Sequence, residues 1–361
     1  MKRLIAGMVA LLLAAVLAFP LKANAISAQK AILLDSATGR ILYDKNGHDK
    51  GLIASTTKIM TALLVCEQCN VLDRFSIPKE AVGIEGSSVY LREGEVWTVQ
   101  ELLYGLMLHS GNDAAVALAI YCGGTVEGFV GMMNDKAHRL GLVNTCFSNP
   151  HGLDSQDHYS TAYDMALLSS YAMQNPLFAK TVSTRTVTAG TRSLRNHNKL
   201  LWLLEGADGV KTGFTKASGR ILVSSAIRNG RRLVAVTMNA PNDWQDHISL
   251  IENGFSAYSV NTIISKGAVV GYVEVAGGES GVVSLVAEDT FDYPLAKGES
   301  VQIVLQEPGF VYAPTVQGES AGYAYVCIGD KTVGKIPLCY GETVEQIKEE
   351  KKSFFKKLFE R

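Results

Sequence analysis

Apolar residues recur at the helical spacing of three and four over 57–69, 99–107, 113–121, 126–140 and 162–172, whereas the segments on either side carry strand character. Residues 30–52 read as a short strand, a turn at Asp35-Ser36-Ala37-Thr38-Gly39, a second strand over 40–43 and a polar loop. Residues 219–227 and 232–238 read as strands joined by Arg228-Asn229-Gly230-Arg231, where the Asn-Gly pair suits a tight hairpin. A helix over 246–256 follows. Strands enclosing a helical middle predict an antiparallel sheet with helices packed on it, an α/β chain of the α+β kind.

From residue 261 to 340 the texture changes to short β-branched runs punctuated by glycine, which predicts a separate all-β domain. At the other end, Lys2 and Arg3 precede an apolar run over 4–19 that closes on Ala23-Asn24-Ala25. This is the three-part pattern of a secretory signal peptide cleaved after Ala25, and the run is shorter than the roughly 20 residues that span a bilayer. The expected divisions are a signal peptide over 1–25, a first domain over 26–258, a β-rich domain over 259–340 and an amphipathic helix over 341–361. In that last segment Val344, Ile347, Phe354, Phe355, Leu358 and Phe359 fall on one helix side, interrupted by Lys351. Paired phenylalanines beside lysines favour a helix lying on an anionic leaflet over a solvated terminal helix. The chain is then expected to be exported and held peripherally at the outer face of the cytoplasmic membrane.

With 34 basic and 35 acidic residues the net charge is -1, which offers no electrostatic footprint for nucleic acid. Six cysteines are irregularly spaced. Cys66 and Cys69 form a C-x-x-C that reads as one helix face, since no second Cys or His pair completes a zinc or redox site. Cys327 and Cys339 are candidates for a bridge between neighbouring strands. His151 and His158 with Asp154 and Asp157 lack any metal-ligand spacing and read as loop packing, so no metal is expected. His109 adjoins Ser110, but neighbours in sequence point apart, and it reads as structural.

Three short segments carry chemistry. Ser55-Thr56-Thr57-Lys58 opens the first helical stretch, and residues three apart share a helix face, so the Lys58 amine can reach the Ser55 hydroxyl. A serine becomes nucleophilic when a neutral amine takes its proton, and burial or a second cation makes a lysine neutral. Alone, the pattern equally fits a serine cap and a surface lysine. Ser110-Gly111-Asn112 sits between two helical stretches and presents a hydroxyl and an amide on a tight turn, or simply caps the next helix at Asn112. Lys211-Thr212-Gly213 offers a cation and a hydroxyl beside backbone free to approach a ligand, or is an ordinary turn.

All three in this order match the signature S-x-x-K, S-D-N, K-T-G of class A β-lactamases and penicillin-binding proteins. With S-G-N in the middle, the chain resembles the low-molecular-weight penicillin-binding proteins that are D-alanyl-D-alanine carboxypeptidases. Similar segments include Asn149-Pro150-His151-Gly152-Leu153, Tyr159-Ser160-Thr161-Ala162, Asn196-His197-Asn198-Lys199-Leu200-Leu201 and Asp208-Gly209-Val210-Lys211-Thr212-Gly213. The resemblance implies a β-lactamase/transpeptidase-like fold and a serine peptidase that removes the terminal D-alanine from peptidoglycan stem peptides. Ser55 would be the acylated nucleophile, Lys58 its base and Ser110 a proton relay. Asn112 would bind the peptide stem, while Lys211, Thr212 and Gly213 would receive the terminal carboxylate. The backbone N–H groups of Ser55 and Phe214 would form the oxyanion hole. No cofactor is implied, and β-lactams would be covalent inhibitors.

His197 departs from relatives that carry arginine between the two asparagines, which weakens the expected carboxylate site. Residues 242–247 likewise lack a basic contact that some relatives have. A β-lactamase is disfavoured because no E-x-x-L-N segment supplies a deacylating glutamate. An endopeptidase of the same fold, and a non-catalytic protein that binds β-lactams or peptidoglycan, are compatible with the same motifs.

Overall fold

The computed structural model describes residues 25–348 and divides after Phe255 into two compact units. The expected signal peptide lies outside the described residues but for Ala25.

In the first unit, β1 (Lys30–Asp35) and β2 (Ile41–Lys45) precede a 3-10 turn, Ala54–Thr57, that runs directly into α1 (Lys58–Gln68). Next come β3 (Arg74–Ser76), β4 (Val96–Thr98), α2 (Val99–Leu108), α3 (Asn112–Gly123), α4 (Val126–Arg139), α5 (Ala162–Ala172) and α6 (Pro176–Ser183). β5 (Thr186–Ala189), β6 (Arg192–Arg195), α7 (Leu200–Leu203), β7 (Ala207–Thr215), β8 (Gly219–Arg228), β9 (Arg231–Met238) and α8 (Asp243–Ala257) complete it. Thr98 starts α2 through a reciprocal capping box with Glu101, and the Thr161 hydroxyl starts α5 by accepting from the Asp164 N–H.

The five-stranded sheet has the order β2-β1-β9-β8-β7 and is antiparallel throughout. Its period-two alternation sorts the core into two layers. Ile32 and Leu34 of β1, with Val223, Val234 and Val236, pack with Ile59, Leu63, Leu106 and Leu118 from the central helices. Ala31 and Leu33, with Leu222, Ala226 and Leu233, face Leu250 and Ile251 of α8 and Leu200 of α7. Helices therefore cover both faces of one sheet. The short hairpins β3–β4 and β5–β6 carry no sequence signal strong enough to be expected, and the second brings Arg195 to a cleft described below.

The second unit is all-β. A two-stranded ribbon pairs β10 (Tyr258–Ile264) with β13 (Phe291–Ala296). A six-stranded sheet contains β11 (Val269–Ala276), β12 (Val282–Ala287), β14 (Gln302–Gln306), β15 (Phe310–Tyr312), β16 (Ser320–Ile328) and β17 (Lys331–Tyr340) in the order β14-β16-β17-β12-β11-β15. Val273, Val275, Val283, Leu285, Ala324, Val326, Ile336 and Leu338 fill its core.

Two expectations are corrected here. Residues 341–348 are not the start of a helix: Val344 is buried and exchanges backbone hydrogen bonds with Thr315, and Ile347 donates to the Gly277 carbonyl. Available edge backbone outweighs the helical spacing of these apolar residues, so the β unit continues to Lys348; the rest of the expected helix lies outside the described residues. Nor do Cys327 and Cys339 bridge. Cys327 pairs with Thr332 and Cys339 with Ser320, at opposite ends of one ladder, and both are free thiols.

Candidate active site

Ser55 lies in the 3-10 turn and Lys58 is the first residue of α1, so the serine stands at the helix entry and the lysine one turn inward. Lys58 is wholly buried, and its Nζ is 2.9 Å from Ser55 Oγ, 2.6 Å from Asn112 Oδ1 and 2.6 Å from the His151 carbonyl oxygen. All three partners are neutral. Burial first, and then the charge of Lys211, hold the amine well below its ordinary value, against the opposing pull of Asp113. A neutral amine has two N–H groups and one lone pair. The two N–H groups match Asn112 Oδ1 and the His151 carbonyl, leaving the lone pair for the Ser55 hydroxyl, which is the geometry a general base needs.

Asn112 is thereby tied to the base, a contact the resemblance did not imply. It is buried, its Oδ1 accepts from Lys58, and its Nδ2 donates to the Glu85 carbonyl at 2.5 Å. Nor does its side chain cap α3, whose N-cap is Gly111. Its neighbour Asp113, to which the sequence assigns no role, accepts from the Val89 and Leu91 N–H groups and the Ser88 hydroxyl, which fixes the loop that sets Ser87 at the cleft. Ser110 adopts φ +65, a conformation few non-glycine residues take, and lines the cleft.

The cleft encloses about 770 Å³ and is lined by Ser55, Ser110, Thr212, Gly213 and Phe214, together with His109, Arg195, His197 and Arg220. Strand β7 forms one wall. A Cβ on Gly213 would stand 3.2 Å from the Ser55 amide nitrogen and 3.3 Å from Ala54 Cβ, so glycine allows the strand to pass close beside the nucleophile's turn. Ser55 and Phe214, the next residue on β7, both line the cleft. Lys211 is buried behind this wall, donates to the Thr212 carbonyl at 2.9 Å, and is lowered to about 7 by burial.

Gly152, with φ +92, lies against the same turn; a Cβ there would stand 1.9 Å from the Ala54 carbonyl oxygen. His158 accepts from the Ser148 N–H on Nδ1, so its Nε2 carries the proton and donates to Thr57 Oγ1, which donates in turn to the Ala54 carbonyl. His151 and His158 are both lowered to about 4, by burial first and the Lys58 charge second, and serve as neutral packing and hydrogen-bonding groups. The loop-packing expectation for them agrees with these contacts. His109, expected to be structural, instead faces the cleft with its ring centroid 5.2 Å from that of His197.

His197 is lowered to about 4 by burial, by Lys211 and by His109, so it stays neutral and does not replace the arginine of some relatives. Guanidinium charge reaches the cleft from other strands. Arg220, opposite Phe214 on β8, is held by both Asp243 carboxylate oxygens at 2.9 and 2.8 Å, and Arg195 comes from β6. Sequence reasoning missed both, because neither belongs to a motif. No group of three or more metal-ligating side chains is found among the described residues.

Comparison with known proteins adds to this geometry. A family model described as D-alanyl-D-alanine carboxypeptidase matches residues 18–242, and one described as the C-terminal domain of penicillin-binding protein 5 matches residues 258–346. The chain is 32% identical over 335 residues to D-alanyl-D-alanine carboxypeptidase DacF of Bacillus subtilis, covering 88% of this chain and 86% of that protein. It is 36% identical over 256 residues to a D-alanyl-D-alanine carboxypeptidase of Streptomyces, covering 64% of this chain and 88% of that one. Its fold is similar to that of penicillin-binding protein 5 from Haemophilus influenzae, with a TM-score of 0.76 and 29% identity over 89% of this chain and 98% of that one.

Proposed function

Given that the chain belongs to the D-alanyl-D-alanine carboxypeptidase family and is a serine peptidase acting on peptidoglycan stem peptides, we propose that Ser55 is its acylated nucleophile and Lys58 the base. One observation carries the assignment: a fully buried amine 2.9 Å from the Ser55 hydroxyl, with a second buried lysine close enough to depress it further.

In this reading Ser55 Oγ attacks the carbonyl carbon between two D-alanines and its proton passes to Lys58 Nζ. The N–H groups of Ser55 and Phe214 stabilise the oxyanion; losing one such donor typically costs about 2.7–4 kcal/mol. Ser110 passes a proton to the departing amine, D-alanine leaves, and water hydrolyses the ester. Thr212, beside Gly213 in the cleft lining, reaches the free carboxylate, and Lys211, buried behind the strand, supplies positive potential for that charge, which distinguishes a chain end from an internal peptide bond. Asn112 holds the Lys58 amine in place, and the second Nδ2 hydrogen and second Oδ1 lone pair of its carboxamide serve the expected contact with the peptide stem. A β-lactam acylates the same serine.

The test is Ser55→Ala, assayed by covalent labelling with penicillin and by D-alanine release from a pentapeptide ending in D-Ala-D-Ala. Both should fall by about a thousandfold or more. Labelling that persists would remove Ser55 from the role.

The reading extends to location: export through removal of residues 1–25, and peripheral attachment to the outer face of the cytoplasmic membrane through the segment after Lys348, rich in lysine and phenylalanine. Deleting 349–361 should move the mature protein to the soluble fraction with peptide hydrolysis intact. Unchanged fractionation overturns the anchor.

A further inference from the structure

A free carboxylate entering the cleft meets the Thr212 hydroxyl, with Lys211 buried behind the strand and an imidazole rather than a guanidinium at residue 197. β7 is an edge strand of its sheet, and its pairing with β8 decides what stands beside Thr212. Lys211 and Gly213 pair with Val223 and Ile221, which pack among the central helices, whereas Thr212 pairs with Leu222, which packs on the opposite face with α8. Thr212, Phe214 and Arg220, the partner of Phe214, therefore share the α8 face. Arg220 lies diagonally across from Thr212, a separation of about 7–8 Å between Cα atoms that a long side chain spans.

The guanidinium is held in place from α8. Its Nη2 donates to both Asp243 carboxylate oxygens, at 2.9 and 2.8 Å, and its Cζ lies 5.7 Å from the centroid of the Trp244 ring. The Asp243 side chain is 3% exposed and that of Arg220 45%, so the pair is anchored at its acid and open at its base. Among the described residues Nε and Nη1 of Arg220 make no hydrogen bond, which leaves donors for a ligand in the cleft that this side chain lines. Arg195 and Lys199 line the same cleft, but among the described residues their side chains make no hydrogen bond or ion pair, and Arg195 rests on Trp202 with Cζ 5.2 Å from the ring centroid. A ligand engaging either would first have to order it, whereas Arg220 is ordered already. Three cations against the carboxylate of Asp243 give the lining a field that favours an anion.

We propose that Arg220 receives the C-terminal carboxylate of the substrate together with Thr212, donating to it from Nη1, and that Asp243 is a positioning residue that holds the guanidinium for this contact. The assignment rests on acyl transfer by Ser55 and names the side chain that selects a free chain end. It moves the guanidinium from the segment between Asn196 and Asn198 to a strand that carries no motif.

The experiment compares a pentapeptide ending in D-Ala-D-Ala with the same peptide amidated at its C-terminus, at enzyme concentrations high enough to detect turnover of the amide. The readout is the ratio of kcat/KM for acid over amide, in chains shown to be folded by circular dichroism. The wild type should favour the acid, and Arg220→Gln should lower that preference by about 10–100-fold, the span of a lost hydrogen bond to a charged group. Arg220→Lys keeps a cation for Asp243 but loses the planar fork, so its ratio should fall by less; it carries the test if glutamine leaves Asp243 unpaired and the chain unfolded. Asp243→Asn should lower the ratio as well, which a merely structural role would not do, since that would slow both peptides alike. A ratio unchanged in the folded Arg220 variants, including equal losses on both peptides, would overturn the proposal. Failure of the Ser55 reading shows elsewhere, as penicillin labelling that survives Ser55→Ala.

Discussion

The two units spend burial on different groups. Among the described residues the first unit buries Lys58, Lys211, Asp113, Asp164, Asp243, Asp246, His158 and His247, whereas the buried polar side chains of the second are Ser284 and Thr315. Burying an ionisable group is costly unless it is paired or gives up its charge. The first unit meets that cost in both ways. Asp113 and Asp243 are tied by hydrogen bonds and an ion pair, His247 is neutral between Ser224 and Thr237 and lowered to about 3 by burial, and both buried lysines are depressed. The second unit has a core of alternating valine, leucine and alanine and carries no such groups among the described residues. Buried charge therefore separates the unit that does chemistry from the unit built for packing.

The strongest test of this contrast removes the ability of Lys58 to be neutral. Lys58→Arg keeps a cation and comparable length, but a guanidinium does not deprotonate in a protein. Acylation by penicillin should fall by about 10²–10⁴, the span of a lost general base, while circular dichroism shows a folded chain; near-normal acylation would mean that charge, not basicity, is what Lys58 supplies.

A smaller effect concerns pH. The depressed Lys58 is protonated as pH falls, which removes the base, and Lys211 loses its charge as pH rises through about 7, which removes the carboxylate's partner. kcat/KM for a peptide with a free carboxylate should be bell-shaped, with its alkaline limb near pH 7 in the wild type. In Lys211→Arg, whose side chain stays charged, that limb should vanish; an unmoved limb would assign it to another group.

The smallest expected effect sharpens the contrast from the other side. A chain ending at residue 255 holds every motif, and the Streptomyces relative, 88% covered by 64% of this chain, leaves no room for a β unit. Its D-alanine release from a soluble pentapeptide should stay within about twofold of the full chain. A tenfold loss with the helical signal unchanged would show that the β unit takes part in chemistry.

Local pattern made much of the architecture legible. α5 runs over the residues its spacing marks, and the β8–β9 hairpin turns at Asn229-Gly230, both with positive φ. α8 begins three residues earlier than its apolar spacing indicates, because Asp243 and Asp246 supply the acidic first turn that spacing does not register. Residues 341–348 went the other way: their helical spacing yielded to backbone partners at Thr315 and Gly277, which belong to distant parts of the chain.

Sequence by itself determined the residue types and order of the three motifs, since a lysine one turn after a serine needs only a helix to meet it. Tertiary structure alone decided that Lys58 is sealed from water, that Asn112 Oδ1 and the His151 carbonyl accept hydrogen bonds from its two N–H groups, and that Arg220 reaches the cleft from a neighbouring strand. Burial and long-range hydrogen bonds are properties of the assembled core, and in this protein they turn an ordinary lysine into a base.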